Sequence, residues 1–278
     1  MRKFSLLVVL GFGLIFADGC NPSPGKNCFS GTCGTPTPTP TPGTVNAFSG
    51  NYSFTATSQV SSKVLIIGGF FKDDSTGAVT GTMHVAGTTC FNPQNDVVAF
   101  TGTVTTAGAL TVTSSPVNSQ VISFTGTISA DGTTITAGTF TITGGSCTGE
   151  HGTLTGFQMA SMTANYSGSF TSGSNTLTVS SSPLTQTSTT GDAQGLFHVT
   201  GTLTFSSLTC GLTNAAIQSS SVAGQIVVLT LKGSDGLSTI SFAGQATDKT
   251  ATNIGGTFSI AGTGVCGGQS GNATLTSP

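Results

Sequence analysis

Four times in this chain a Gly-Thr pair is followed by a cysteine nine or ten residues beyond the glycine. Gly81-Thr82 leads to Cys90, Gly138-Thr139 to Cys147, Gly201-Thr202 to Cys210 and Gly256-Thr257 to Cys266. Cys90 and Cys147 are 57 residues apart, and Cys210 and Cys266 are 56 apart. Such spacing describes a duplicated module with one disulfide in each copy. Other features repeat in step. Phe124 and Phe242 are offset by 118, Phe140 and Phe258 by 118, and Cys90 and Cys210 by 120. Each copy opens with Asn-Tyr-Ser, at Asn51 and at Asn165. The boundaries are expected at 47–160 and 161–278, with only small insertions between the copies.

From Ala47 onward the pattern is that of strands, with no helix period. Ile122, Phe124 and Ile128 alternate with Ser123, Thr125 and Thr127, the period of two of a sheet with one wet face. Ile240 and Phe242 repeat it, as do Phe140 and Ile142 in one copy and Phe258 and Ile260 in the other. Ser75-Thr76-Gly77, Ala107-Gly108, Asp131-Gly132 and Asp235-Gly236 mark turns between the runs. The expected fold is all-β: two tandem antiparallel modules of about eight strands each. Whether each is a small meander barrel or a two-layer sandwich stays open at this stage. An outer-membrane barrel is excluded, because it needs aromatic girdles at both interfaces and this chain has no Trp and two Tyr.

The N-terminus sets the location. Arg2 and Lys3 precede an apolar stretch from Phe4 to Phe16, followed by Ala17-Asp18-Gly19-Cys20. Its length suits a signal peptide better than a membrane span. A small residue before a cysteine at this place resembles the lipobox of bacterial lipoproteins. That resemblance covers about twenty residues and implies removal of 1–19, acylation of Cys20 and a membrane partner reached through the lipid. Asn21 lacks the aspartate that retains enterobacterial lipoproteins in the inner membrane, so outer-membrane placement is expected where the cell has one. The alternative is cleavage after Ala17-x-Gly19 and a soluble secreted protein. Residues 20–46 then form the anchor and a linker, in which Thr35 to Pro42 alternates threonine and proline as a stiff polyproline II spacer of roughly 25 Å.

Seven cysteines are odd for an exported chain. With Cys20 lipidated, the other six pair as Cys28–Cys33, Cys90–Cys147 and Cys210–Cys266, the repeat selecting among the possible pairings. Cys28 and Cys33 have no nearby histidine, so their spacing suits a disulfide in an oxidising compartment better than a zinc site. No metal and no cofactor is expected.

Only 6% of residues are charged, and behind the signal segment five lysines face eight acids. No basic patch exists for nucleic acid, and Arg2 is the only arginine. His84, His151 and His198 do not recur between the copies, Glu150 is the only glutamate, and no G-x-S-x-G elbow is present. Glu150-His151 is the most reactive-looking pair, and Asp73-Asp74 the nearest approach to a calcium site. No catalytic constellation is assembled. The expected function is a non-catalytic surface lipoprotein that binds or packs against a protein, glycan or small ligand of unspecified identity. The alternatives are a lipocalin-like carrier with an apolar ligand inside each module and, further off, an enzyme of unrecognised type.

Overall fold

A computed structural model describes residues 47–86, 97–206 and 211–278. The signal segment, Cys20, Cys28, Cys33, the Thr/Pro linker, Cys90 and Cys210 lie outside the described residues. The modules are two closed eight-stranded antiparallel barrels in tandem. The first runs through β1 (Ser49–Ser58), β2 (Val64–Asp73), β3 (Ala78–Ala86), β4 (Val97–Val104), β5 (Ala109–Ser114), β6 (Val121–Ile128), β7 (Thr134–Thr143) and β8 (His151–Gln158). The second runs through β9 (Ala164–Ser172), β10 (Asn175–Gln186), β11 (Val199–Ser206), β12 (Asn214–Ala223), β13 (Ile226–Gly233), β14 (Ser238–Ala246), β15 (Asn253–Gly262) and β16 (Ser270–Thr276). Each is a simple meander in which consecutive strands pair. Closure comes from β1 on β8 and from β9 on β16. Closure removes the exposed sheet edges that would otherwise invite aggregation.

The predicted alternation places the side chains. Ile122, Phe124, Phe140 and Ile142 point into the first barrel, and Ile240, Phe242, Phe258 and Ile260 into the second, all buried. The predicted turns fall between β2 and β3, β4 and β5, β6 and β7, and β13 and β14. Outside, the first barrel carries a line of threonines in register across six strands. Thr103, Thr111, Thr125, Thr139, Thr153 and Thr57 stand opposite one another in turn on β4 to β8 and β1. The hydroxyls of Thr125 and Thr139 are 3.0 Å apart. A second line runs Thr80, Thr101, Thr113, Ser123, Thr141 and His151. Threonine suits this position because its branched β-carbon fits the pleat while the hydroxyl meets water. Apolar inside and hydroxylated outside, this is the inverse of a membrane-spanning barrel.

Both barrels belong to one compact unit and pack against each other. The tip of the β12–β13 hairpin lies on the outer face of β1 and β2. The Asn51 side chain donates to the Gly224 carbonyl at 3.2 Å and accepts from the Gly224 amide at 2.7 Å. The approach requires glycine on both sides: a β-carbon on Gly68 would stand 2.3 Å from the Ala223 carbonyl oxygen, and Gly224 turns at φ 58°. Alongside, the 187–198 connection between β10 and β11 reaches over β2 and β3. The Phe70 amide donates to the Gly195 carbonyl at 3.0 Å, and the Phe70 and Phe197 rings meet edge-on with centroids 6.1 Å apart. The small-insertion expectation overlooks this segment: twelve residues connect β10 to β11, whereas four connect β2 to β3.

Candidate functional site

Three places could hold function: the lumens, the rims that carry the cysteines, and the outer wall with its seam. The lumens are filled. In the first barrel Phe54 of β1 meets Phe124 of β6 at 5.0 Å between centroids, and Phe124 meets Phe100 of β4 at 5.7 Å. Those strands are not neighbours, so the rings touch across the barrel axis. In the second, Phe170 of β9 stacks on Phe242 of β14 at 5.9 Å and on Phe258 of β15 at 5.1 Å. Burial of such a ring contributes on the order of 2–3 kcal/mol, so these clusters are the core of each barrel. One end of the first lumen is stopped by Phe48, packed on Tyr52 and Phe71. Met162 takes the corresponding place before β9 and is buried.

At that same end each barrel ties a tyrosine to a hairpin. The Tyr52 hydroxyl donates to the Gly132 carbonyl in the β6–β7 turn at 2.5 Å, and the Tyr166 hydroxyl to the Ala251 carbonyl in the β14–β15 turn at 2.9 Å. Burial pushes both phenols above the ordinary tyrosine range. The repeated Asn-Tyr-Ser therefore marks a buried structural tie. Only its recurrence in the sequence hinted at a role.

Cys147 and Cys266 lie at the opposite rim. In a meander the odd-numbered strands run the same way, so β3 and β7 end at one rim, as do β11 and β15. Cys147 is 7% exposed and Cys266 fully buried, each inside its barrel's apolar cluster. Their predicted partners, Cys90 and Cys210, lie outside the described residues. Glu150 joins the first of these rims. Its carboxylate accepts from the hydroxyls of Ser58 and Ser61, the latter at 2.9 Å, and these two bonds hold it below the usual carboxylate range. His151 turns away, with Nδ1 on the Gly149 carbonyl at 2.9 Å.

The remaining described carboxylates are likewise occupied, most of them by turn groups. Asp73 accepts from the Phe48 amide, and Asp74 from the Thr76 amide and hydroxyl and the Ala78 amide. Asp131, Asp235 and Asp248 accept from Thr133, Ser238 and Thr250 respectively. Asp73 holds a residue 25 positions away, whereas the other four form Asx-type turns, the local bonding for which aspartate is suited. Among the described residues no three potential ligands gather as a metal site.

Among the described residues His198 is the one histidine paired with a carboxylate, Nε2 lying 2.8 Å from Asp192 Oδ2. Ser220 completes what resembles a triad in composition only. It offers its backbone carbonyl to His198 Nδ1 at 2.6 Å, while its hydroxyl is spent on the Val199 amide and carbonyl. An imidazole with both nitrogens engaged by acceptors has no lone pair for base catalysis.

The outer wall offers open depressions. One of about 440 Å³ spans the seam, lined by Ile66 and Ala86 of the first barrel and by Ile226, Val228, Ala243 and Gly256 of the second. Among the described residues no charged side chain lines it. Against known proteins, no family model matches the chain, and no curated protein matches it.

Proposed function

We propose that this chain is an exported, lipid-anchored cell-envelope protein whose two barrels act, without catalysis, through their outer walls on a partner outside the cell. The observation that carries this reading is the filled lumen. Among the described residues, aromatic rings from non-adjacent strands meet on the axis of both barrels, in the space where a small apolar cargo would need several hundred Å³, which favours the outer walls over a carrier's interior. The outer surface is hydroxylated and sparsely charged, the kind of wall that stays soluble while presenting a regular face. Export and anchoring rest on the apolar stretch from Phe4 to Phe16 and on Gly19-Cys20.

The disulfides Cys90–Cys147 and Cys210–Cys266 belong to the same proposal, with Cys28–Cys33 in the linker. Strands β3 and β7 are four apart in a ring of eight, so the first bridge would span the mouth of its barrel from one wall to the opposite one, as would the second between β11 and β15. Two measurements test the reading. A fluorescent fatty acid titrated into the mature protein should show no saturable binding; one molecule bound per barrel would replace the proposal with the carrier. Metabolic labelling with a fatty acid should mark the wild type and not Cys20→Ser, and equal label in both would remove the anchor.

A further inference from the structure

His198 sits where the 187–198 segment returns to β11, and its two contacts fix its charge state by geometry. A backbone carbonyl and a carboxylate oxygen can only accept, so both ring nitrogens must carry hydrogen for both bonds to form. Asp192, its partner, organises the loop beyond it. Its Oδ1 accepts from the amides of Gln194 and Leu196 at 2.8 and 2.9 Å. Its own amide and carbonyl close a turn with Leu196 and Gly195. The carbonyls that this turn presents are the ones that meet the first barrel: Gly195 takes the Phe70 amide, and Gln194 takes His84 Nε2 at 3.0 Å. The chain of contacts therefore runs from Ser220 through His198 and Asp192 to the docking surface.

We propose that the His198–Asp192 pair is a proton-operated clasp, which seats the 187–198 segment on the first barrel when the imidazole is charged and loosens it when the imidazole is neutral. Among the described residues, the titratable and charged groups around it are Asp192 within the segment and, on the barrel beneath, His84 and Lys72, the latter with its ammonium 6.0 Å from the Phe70 ring centre. Hydrogen bonds to Asp192 and to the Ser220 carbonyl hold His198 above the ordinary histidine value. Burial raises Asp192, but bonds from Leu196, His198 and Gln194 outweigh it and keep the carboxyl below its usual range. A raised histidine contributes its stabilisation fully below its unfolded value and loses it as pH climbs through the folded one. A lowered carboxyl contributes above its unfolded value and loses it as pH falls through the folded one. The clasp is thus closed from the bottom of the carboxylate range up to mildly acidic or neutral pH, and opens on the alkaline side.

Nuclear magnetic resonance on the mature full chain reads this directly, through the His198 imidazole and the exchange of the Phe70 amide. Between pH 5.5 and 8.5, Phe70 protection, corrected for the intrinsic pH dependence of exchange, should fall about two- to fivefold in step with His198, as suits a half-exposed pair. The Val104 amide, bonded to Gly77 at a distant turn, should hold constant. In His198→Gln the Phe70 profile should be flat, whereas His84→Gln, which keeps a donor for Gln194, should follow the wild type. Phe70 protection that ignores the His198 titration, or a His198→Gln profile identical to the wild type, overturns the clasp. The wild-type titration decides the matter alone if a variant does not fold.

Discussion

Asn51 and Asn165 occupy the same place in the same tripeptide, at the start of the first strand of each barrel. Asn51 is buried, its amide spent in both directions on Gly224 of the neighbouring barrel. Asn165 is exposed and lines an open depression with Ser181 and Thr276. The glycines follow the same division. Gly68 on β2 clears the way for the hairpin, whereas serines stand at Ser181 and Ser182 on β10. The walls differ too: the unbroken threonine line of the first barrel corresponds in the second to Thr171, Asn272, Thr257, Ala243, Val228 and Ser221. The copies have thus kept one strand plan and divided the labour. The first barrel is a socket with a uniform outer face, and the second contributes the arms that fill the socket.

The largest expected effect tests what the barrels share. Replacing Cys90 and Cys147 together by serine should cost the first barrel up to about 4 kcal/mol, from the entropy of a closed loop of this length. Replacing Cys210 and Cys266 should cost the second barrel the same. Denaturant titration measures both, and losses below about 1 kcal/mol would remove the bridges. Gly68→Val comes next, at about 3 kcal/mol of overpacking, because the new side chain drives into the Ala223 carbonyl. Hydrogen exchange at Phe70 should quicken while both barrels keep their strand signal by circular dichroism. Unchanged exchange would mean the seam tolerates what the geometry forbids. Asn51→Ala should cost about 2 kcal/mol by stranding the buried groups of Gly224. Asn165→Ala should stay within about 0.5 kcal/mol. Equal costs would dissolve the socket-and-arm distinction. Smallest is Thr125→Ala, a few tenths of a kcal/mol for one cross-strand pair, measured as a shift in the unfolding midpoint.

Much of this architecture was legible in the sequence because it is local. Alternation at Ile122 and Phe124, or at Ile240 and Phe242, places a face, and Asp131-Gly132 or Asp235-Gly236 places a turn. Closure is not local. The pairing of Thr55 with Thr155 and of Thr57 with Thr153 joins strands about a hundred residues apart, and an alternating run looks the same in a barrel as in a sandwich. The seam was harder still. Identical Asn-Tyr-Ser tripeptides have opposite surroundings, so no reading of either could separate them. The segment holding His198 did leave a trace: the Asn-Tyr-Ser offset is 114, whereas later features are offset by 118 to 120. That jump marks the insertion before β11. Recurrence between the copies gives no sign of His198, because its role exists in one copy alone.

The tyrosine ties have an optical consequence. The chain contains no tryptophan and two tyrosines, one in each barrel, so beyond the shorter wavelengths at which its phenylalanines absorb, its ultraviolet absorption and emission come mainly from Tyr52 and Tyr166. Each ring is sealed in a core, with its hydroxyl bound to a carbonyl of its own barrel. Replacing one with phenylalanine leaves a protein whose intrinsic light reports on the other barrel alone. The spectrum is a two-channel recording, with one built-in lamp per barrel and no label to attach.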